Sequence, residues 1–245
     1  MRKPKDINIL VACEESQAVT IAFREKGFNA FSADIQESSG GYPQYHIMGD
    51  CLPLLENKHG ISFTTEDGTT HTIDRWDCVI AFPPCTHLTN SGARWFQQKR
   101  IDGRQEKAIK FFNLFFKLDH IPYVSVENPH NIISGGSYIR KYFPQLVDCI
   151  HNYSQVVQPY EYGDHARKAT CLWLQGLPTL KPTNIVDMGT IRNGFSVNAH
   201  ATTVRYNGRC LPWGDPMVAK LRSKTYKGIA SAMADQWGQF LIDNL

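Results

Sequence analysis

The chain has 245 residues, 42% of them apolar, with 26 basic and 23 acidic side chains and a formal net charge of +3. That length suits one large domain, or one with a small appendage, and the apolar share can build a core. No apolar run approaches the roughly 18 residues that cross a bilayer, and Ile7–Ala12 after the basic start is too short for a secretion signal, so a cytoplasmic protein is expected.

The first element is the apolar run Ile7–Ala12, read as a strand. Cys13-Glu14-Glu15-Ser16 follows, with Ser16 placed to cap a helix over Gln17–Lys26 and Gly27 placed to end it. Phe28–Ala33 reads as a second strand closed by Asp34. Tyr45–Asp50 is a short third strand ending on another acid, and Leu52–Lys58 is a helix. Ile61–Trp76 alternates around Glu66-Asp67-Gly68, the signature of a hairpin. Asp77 then opens the run Val79-Ile80-Ala81-Phe82, which Pro83 and Pro84 terminate because neither can donate to a ladder. Cys85 is thereby delivered to the carboxyl edge of a buried parallel strand, where α/β sheets bind ligands.

Residues 86–104 are polar and read as a mobile loop. Gln105–Leu118 is a strongly apolar helix, and Tyr123–Val126 is a strand that stops at Glu127-Asn128-Pro129. Ser137–Leu146 reads as a helix, and Gln155–Tyr160 and Thr170–Leu174 as two further strands with the polar turn 162–168 between them. Residues 176–222 are rich in Pro, Gly and Asn with little periodicity. Tyr226–Leu241 is a closing helix with Ile229, Met233 and Trp237 on one face. Trp95, Trp173 and Trp213 are read as packing residues.

The seven cysteines are an odd number without CxxC spacing, so neither a disulfide framework nor a metal site is expected. Charge is uneven. Residues 181–228 carry 8 basic and 2 acidic groups, net +6, whereas residues 1–180 carry 18 and 19, net −1. A basic segment beside a neutral domain suggests a polyanionic partner.

Strand–turn–helix–strand with an acid some twenty residues after the first turn suits an adenosine-bearing cofactor. The absence of GxGxxG disfavours a dinucleotide. The strand-end groups therefore fall into two sets: Glu14, Glu15, Asp34 and Asp50 early, Cys85 and Glu127 late. In this order they resemble the DNA cytosine C5-methyltransferases, most closely the compact members found in phages and prophages. The resemblance covers residues 7–175 and 223–242. Pro83-Pro84-Cys85 is similar to the family's Pro-Pro-Cys, Glu127-Asn128 to its Glu-Asn, residues 163–173 to its basic motif before a strand, and Tyr226-Lys227-Gly228-Ile229-Ala230 to its closing helix.

The resemblance implies a Rossmann-like α/β S-adenosylmethionine-dependent methyltransferase fold with a mostly parallel seven-stranded sheet and helices on both faces. Residues 1–175 and 223–245 would form the catalytic domain, and 176–222 a short target-recognition-like region. It further implies S-adenosylmethionine held by Ala12, Cys13, Glu14, Glu15, Ser16, Asp34, Ile35, Asp50, Cys51 and Pro83. DNA would meet Pro84, Thr86, Asn128, Arg205 and Arg209, with RNA or a free nucleotide left open. Cys85 would add to cytosine C6, Glu127 would bond the N3 side, and Arg167 or Lys168 would face O2, on a base flipped from the duplex. Loop 86–104 would close over that base.

Three departures stand out. Cys13–Ser16 replaces the family's Phe-x-Gly-x-Gly turn, which implies side-chain contact to the cofactor from Glu14 or Glu15. Ala81-Phe82 replaces Gly-Gly before Pro-Pro-Cys, and Thr86-His87 replaces Gln-x after it. Only about 45 residues lie between the basic motif and the closing helix, where the family has a separate small domain. Two other readings are an amino-methyltransferase acting on cytosine N4 or adenine N6, and a degenerate methyltransferase fold that grips nucleic acid or protein.

Overall fold

The structure is a computed structural model and describes residues 2–189, 191–192, 195–196, 205–206, 209–212 and 215–245. In chain order the elements are β1 (Asn8–Ala12), α1 (Ala18–Glu25), β2 (Asn29–Asp34), β3 (His46–Met48), α2 (Leu52–Glu56), β4 (Ile61–Thr64), β5 (Thr70–Ile73) and β6 (Cys78–Ala81). There follow α3 (Phe96–Ile101), α4 (Arg104–Leu114), β7 (Tyr123–Asn128), α5 (Ser137–Tyr142), β8 (Gln155–Val157), β9 (Thr170–Gln175), four two-residue strands β10–β13 between 191 and 210, α6 (Pro216–Ser223), α7 (Lys227–Ala232) and α8 (Gly238–Asn244).

Seven strands form one sheet in the order β3-β2-β1-β6-β7-β9-β8. All neighbours are parallel except those of β9, which runs antiparallel between β7 and β8. This is the Rossmann-like, mostly parallel seven-stranded sheet that was expected. The chain order reverses direction beside β1, so the crevice for a ligand opens at the carboxyl ends of β1, β2 and β6.

The central strands are apolar on both faces because both faces are covered. In β1, Leu10 and Ala12 face the core that holds Phe31, Val79, Phe112 and Trp173, while Ile9 and Val11 face the one that holds Phe23, Ile80, Met233 and Trp237. All four residues of β6 are fully buried. Asp77, at its start, is buried as well and accepts hydrogen bonds from the Asn8 amide (2.9 Å) and the Arg2 guanidinium (2.6 Å), which fixes β6 against β1.

The β4–β5 hairpin forms as its turn chemistry requires, with Gly68 left-handed (φ 84°). It packs on the main sheet through Phe63, whose ring lies 4.9 Å from Phe31 and 5.6 Å from Trp76. Its turn also reaches outward. Glu66 accepts from the Ser38 amide (2.9 Å) and hydroxyl (2.6 Å), tying segment 36–42 to the hairpin.

Several boundaries move. The strand expected at Tyr45 begins at His46 after a 3-10 turn. The helix expected over Ser137–Leu146 ends at Tyr142, because Pro144 cannot continue it and a 3-10 segment takes over. β8 stops at Val157 ahead of Pro159. The closing helix is one continuous run, α7 and α8 joined through a π-helical turn at Met233–Trp237.

Candidate functional site

The first βα turn is built without glycine. Among the described residues, the non-glycine residues with left-handed backbone are Cys13 (φ 60°) and Gln17 (φ 58°), both in this turn. Such conformations cost of order 1–3 kcal/mol each and persist where tertiary contacts over-determine them. The contacts here are specific. Cys13 N–H donates to Ala33 O at 2.7 Å. The Gln17 amide bridges to the Tyr42 backbone in both directions, at 2.9 and 3.2 Å. Gly40 passes so close over Gln17 that a side chain there would meet its Cβ at 2.6 Å.

The expected helix cap is corrected. Ser16 does not cap α1; Gln17 occupies the cap position, without a side-chain cap bond of its own. The acceptor at that helix end is the buried Glu14, whose carboxylate takes the Val19 amide (2.7 Å), the Thr20 amide (3.2 Å) and the Thr20 hydroxyl (2.8 Å). Glu14 thus caps the helix. Burial pushes its carboxyl up to about 7 from an ordinary 4.5, against the pull of those three donors.

The folded chain therefore holds the Glu14 proton to higher pH than the unfolded chain does. The stability that this group contributes is full below about pH 4.5 and is lost as pH rises to about 7, by roughly 3 kcal/mol. Urea unfolding of wild type and Glu14→Gln between those values is expected to show that slope in the wild type, and a flatter one in the variant.

Glu15 is different. It is 7% exposed, and neither carboxylate oxygen has a partner. Across the crevice, Asp34 ends β2, with one oxygen taken by the Gln36 amide at 2.9 Å. Asp50, past β3, accepts from the Leu52 amide at 3.0 Å. The Cys13 thiol is pushed far up, first by the Cys51 thiol, then by burial and by the Asp34 and Asp50 carboxylates. The ends of β1, β2 and β3 therefore do converge, and Cys13 is held neutral. Ile35, next to Asp34, is 80% exposed at this edge.

The second half of the site lies past β6 and β7. Pro83 is buried, Pro84 and Thr86 are exposed and Cys85 is half-buried between them. The expectation that residues 86–104 form a mobile loop is corrected. Asn90–Trp95 is a 3-10 helix leading into α3, and five carbonyls before it are engaged. Pro83 O accepts from Asn128 Nδ2 (2.8 Å), Thr86 O from Lys99 Nζ (2.6 Å) and His87 O from Gln105 Nε2 (3.1 Å). Cys85 O accepts the amides of Leu88 (2.9 Å) and Thr89 (3.0 Å), and Leu88 O that of Ile132 (3.1 Å).

Asn128, expected at the substrate, is instead buried, its amide joining Pro83 to Asn131. Trp95, expected to pack, is 51% exposed, with the exposed Arg94 guanidinium 4.9 Å from its ring. Lys99 and Gln105 were missed as loop-holders. Their signal was present, since Lys99 lies three residues after the buried Phe96 on one helix face.

Glu127 lines a small cleft with Phe82, Lys168, Thr170, Tyr226 and Ile229. Part of its surface reaches solvent, yet removal from water is the largest influence on it and raises its carboxyl, opposed by the Lys168 charge and a Thr170 hydrogen bond. Of the two candidate cations the structure brings Lys168 to Glu127. Arg167 turns away to stack on Tyr160 at 5.3 Å. The side chains of Arg205 and Arg209 lie outside the described residues, as does Trp213.

No protein-family model and no curated relative matches the chain. Among solved structures it is similar to a candidate DNA modification methyltransferase encoded within an E. coli prophage, at 12% identity over 69% of this chain and 46% of that one, with a TM-score of 0.40. It is also similar to a mutant of Spodoptera frugiperda DNMT2, at 14% identity over 74% and 53%, with a TM-score of 0.37. The chain spans about half the length of these structures. Likenesses that remote leave the chemistry to be argued from the side chains.

Proposed function

We propose that the protein transfers a methyl group from S-adenosylmethionine to C5 of cytosine in DNA through a transient bond between Cys85 and cytosine C6. The observation that carries this reading is the joint delivery of Cys85 and Glu127 to one sheet edge by adjacent parallel strands, with Asn128 bonding one strand end to the other. Cytosine C5 is a poor nucleophile, and thiolate addition at C6 makes it enamine-like. The electron pair displaced by that addition moves to N3. A carboxyl held above its ordinary range keeps a proton with which to bond N3, the role given to Glu127. Lys168, beside it, faces O2, where negative charge grows. After methylation a base removes the C5 proton and Cys85 departs, restoring the ring.

The early half fits the cofactor. Glu15 is an orphaned, buried carboxylate suited to an ammonium, Asp34 and Asp50 suit hydroxyl and amine donors, and the exposed Ile35 suits an aromatic ring face. Cys13, Cys51, Ala12, Ser16 and Pro83 are assigned to the cofactor's surroundings. When bound, S-adenosylmethionine supplies an electrophilic methyl on sulfur. Pro84 and Thr86, both exposed, and the segment 176–222 are assigned to the DNA. Arg94 and Trp95, on the 3-10 helix that follows the Cys85 loop, add a cation and a stacking face.

Incubation with methyl-labelled S-adenosylmethionine and cytosine-containing DNA, followed by nucleoside analysis, tests the reading. Label on C5 is expected. Label on an exocyclic nitrogen would favour the amino-methyltransferase, and no label together with no cofactor binding would favour a binding protein. Glu127→Gln is expected to slow single-turnover transfer by about 10²- to 10⁴-fold while leaving cofactor binding intact.

A further inference from the structure

A thiol with an ordinary pKa is mostly protonated at neutral pH, and only the thiolate adds to C6. How Cys85 becomes one is a question that rests on the covalent reading above, and α3 supplies an answer. On this helix Gln97 and Gln98 are exposed, whereas Lys99 turns inward and is 7% exposed. Its Nζ donates to the Thr86 carbonyl at 2.6 Å, so the ammonium sits against the Thr86–His87 peptide, one residue past Cys85. A side chain at Gly92 would begin 3.1 Å from Nζ, so glycine there leaves the ammonium room.

The geometry points to Lys99 as a positioning residue that holds Cys85 in its thiolate form. A buried ammonium whose partner is a carbonyl dipole is under-compensated, and an anion beside it supplies what is missing. The charges that act on Lys99 are few. Burial opposes its protonation most, and Arg104, itself paired with Asp102 at 2.6 Å, opposes it next, while Cys85 and Asp102 favour it. The His87 imidazole also faces this group and is held in its neutral form by burial and by Lys99 and Arg104. When Cys85 ionises, its proton leaves to solvent and Lys99 keeps its own. The same hydrogen bond fixes the Thr86–His87 peptide, one residue past Cys85, so one side chain acts on both the charge and the placement of the nucleophile's loop.

The test is the pH profile of Cys85 alkylation by iodoacetamide in the full chain, read by peptide mass spectrometry between about pH 6 and 10. Wild type is compared with Lys99→Gln, which keeps a donor for Thr86 without the charge, Lys99→Met, which keeps neither, and Lys99→Arg, which keeps the charge. Thermal unfolding establishes which variants fold. The uncharged variants are expected to move the midpoint up by about one unit, slowing alkylation at neutral pH about tenfold, while Lys99→Arg stays near wild type. A folded uncharged variant with the wild-type midpoint would overturn the inference. Methyl transfer is scored separately. A shifted midpoint with no transfer by any protein would leave Lys99's role standing and remove the methyltransferase reading. Transfer by the wild type with an unmoved midpoint would do the reverse.

Discussion

Cys85→Ala is expected to lower methyl transfer to DNA by at least about 10³-fold, with cofactor binding and folding unchanged. The expectation follows from what the substitution leaves untouched. The loop is held through backbone carbonyls at residues 83, 85, 86, 87 and 88, none of which needs the thiol. Removing one sulfur from a half-buried position opens no large cavity, so the loss reads as chemistry. Glu127 and Lys168 remain to polarise a base, but without a bond at C6 the ring has no route to an enamine. The checking measurement is single-turnover transfer by wild type and variant, alongside calorimetric binding of S-adenosylmethionine. Undiminished transfer by Cys85→Ala would sink the nucleophile assignment and with it the C5 reading.

Gly228→Ala is expected to cost at least about 3 kcal/mol of stability. A Cβ at Gly228 would lie 1.9 Å from the Tyr162 carbonyl oxygen, 2.7 Å from its carbon and 2.8 Å from Asp164 Oδ2. Two of those atoms are backbone and cannot swing aside. The Gly228 amide also donates to Asp164 at 2.9 Å, so relief by displacement would break the bond that docks the start of α7. Because Tyr226 and Ile229 line the cleft with Glu127, transfer should fall together with stability. Gly60→Ala is the control. Its site is open space at φ 65°, so only the left-handed penalty of about 1–2 kcal/mol applies. Chemical denaturation of both variants distinguishes the two costs.

Much of this was readable from the chain itself, and the reasons are local. Val79–Phe82 runs apolar into two prolines, and a buried parallel strand with a hard stop is the one element that fits. Asp34, Asp50 and Glu127 follow apolar runs in the same way. What escaped reading depends on contacts between distant residues. Glu14 caps a helix five and six residues ahead only because Cys13 and Gln17 take left-handed backbone, which their residue types do not announce. The polar residues between 86 and 104 looked solvated, yet Lys99 and Gln105 face inward to carbonyls 13 and 18 residues back. Arg167 and Lys168 are neighbours of equal charge, and only the fold sends one to Glu127 and the other to Tyr160.

The β4–β5 hairpin lies outside the main sheet and carries none of the groups assigned to chemistry, so it could pass for an ornament. Its grip on Ser38 through Glu66 makes it a strut. The segment that overlies Gln17 hangs from the hairpin tip, and the hairpin stands on Phe63, which stacks on Trp76 and meets Phe31 edge-on. The stiffness of the outer wall of the crevice is thus borrowed from an aromatic cluster on the opposite side of β2. Trimming the hairpin to shorten the chain would unmoor that wall without touching a single residue that faces the crevice.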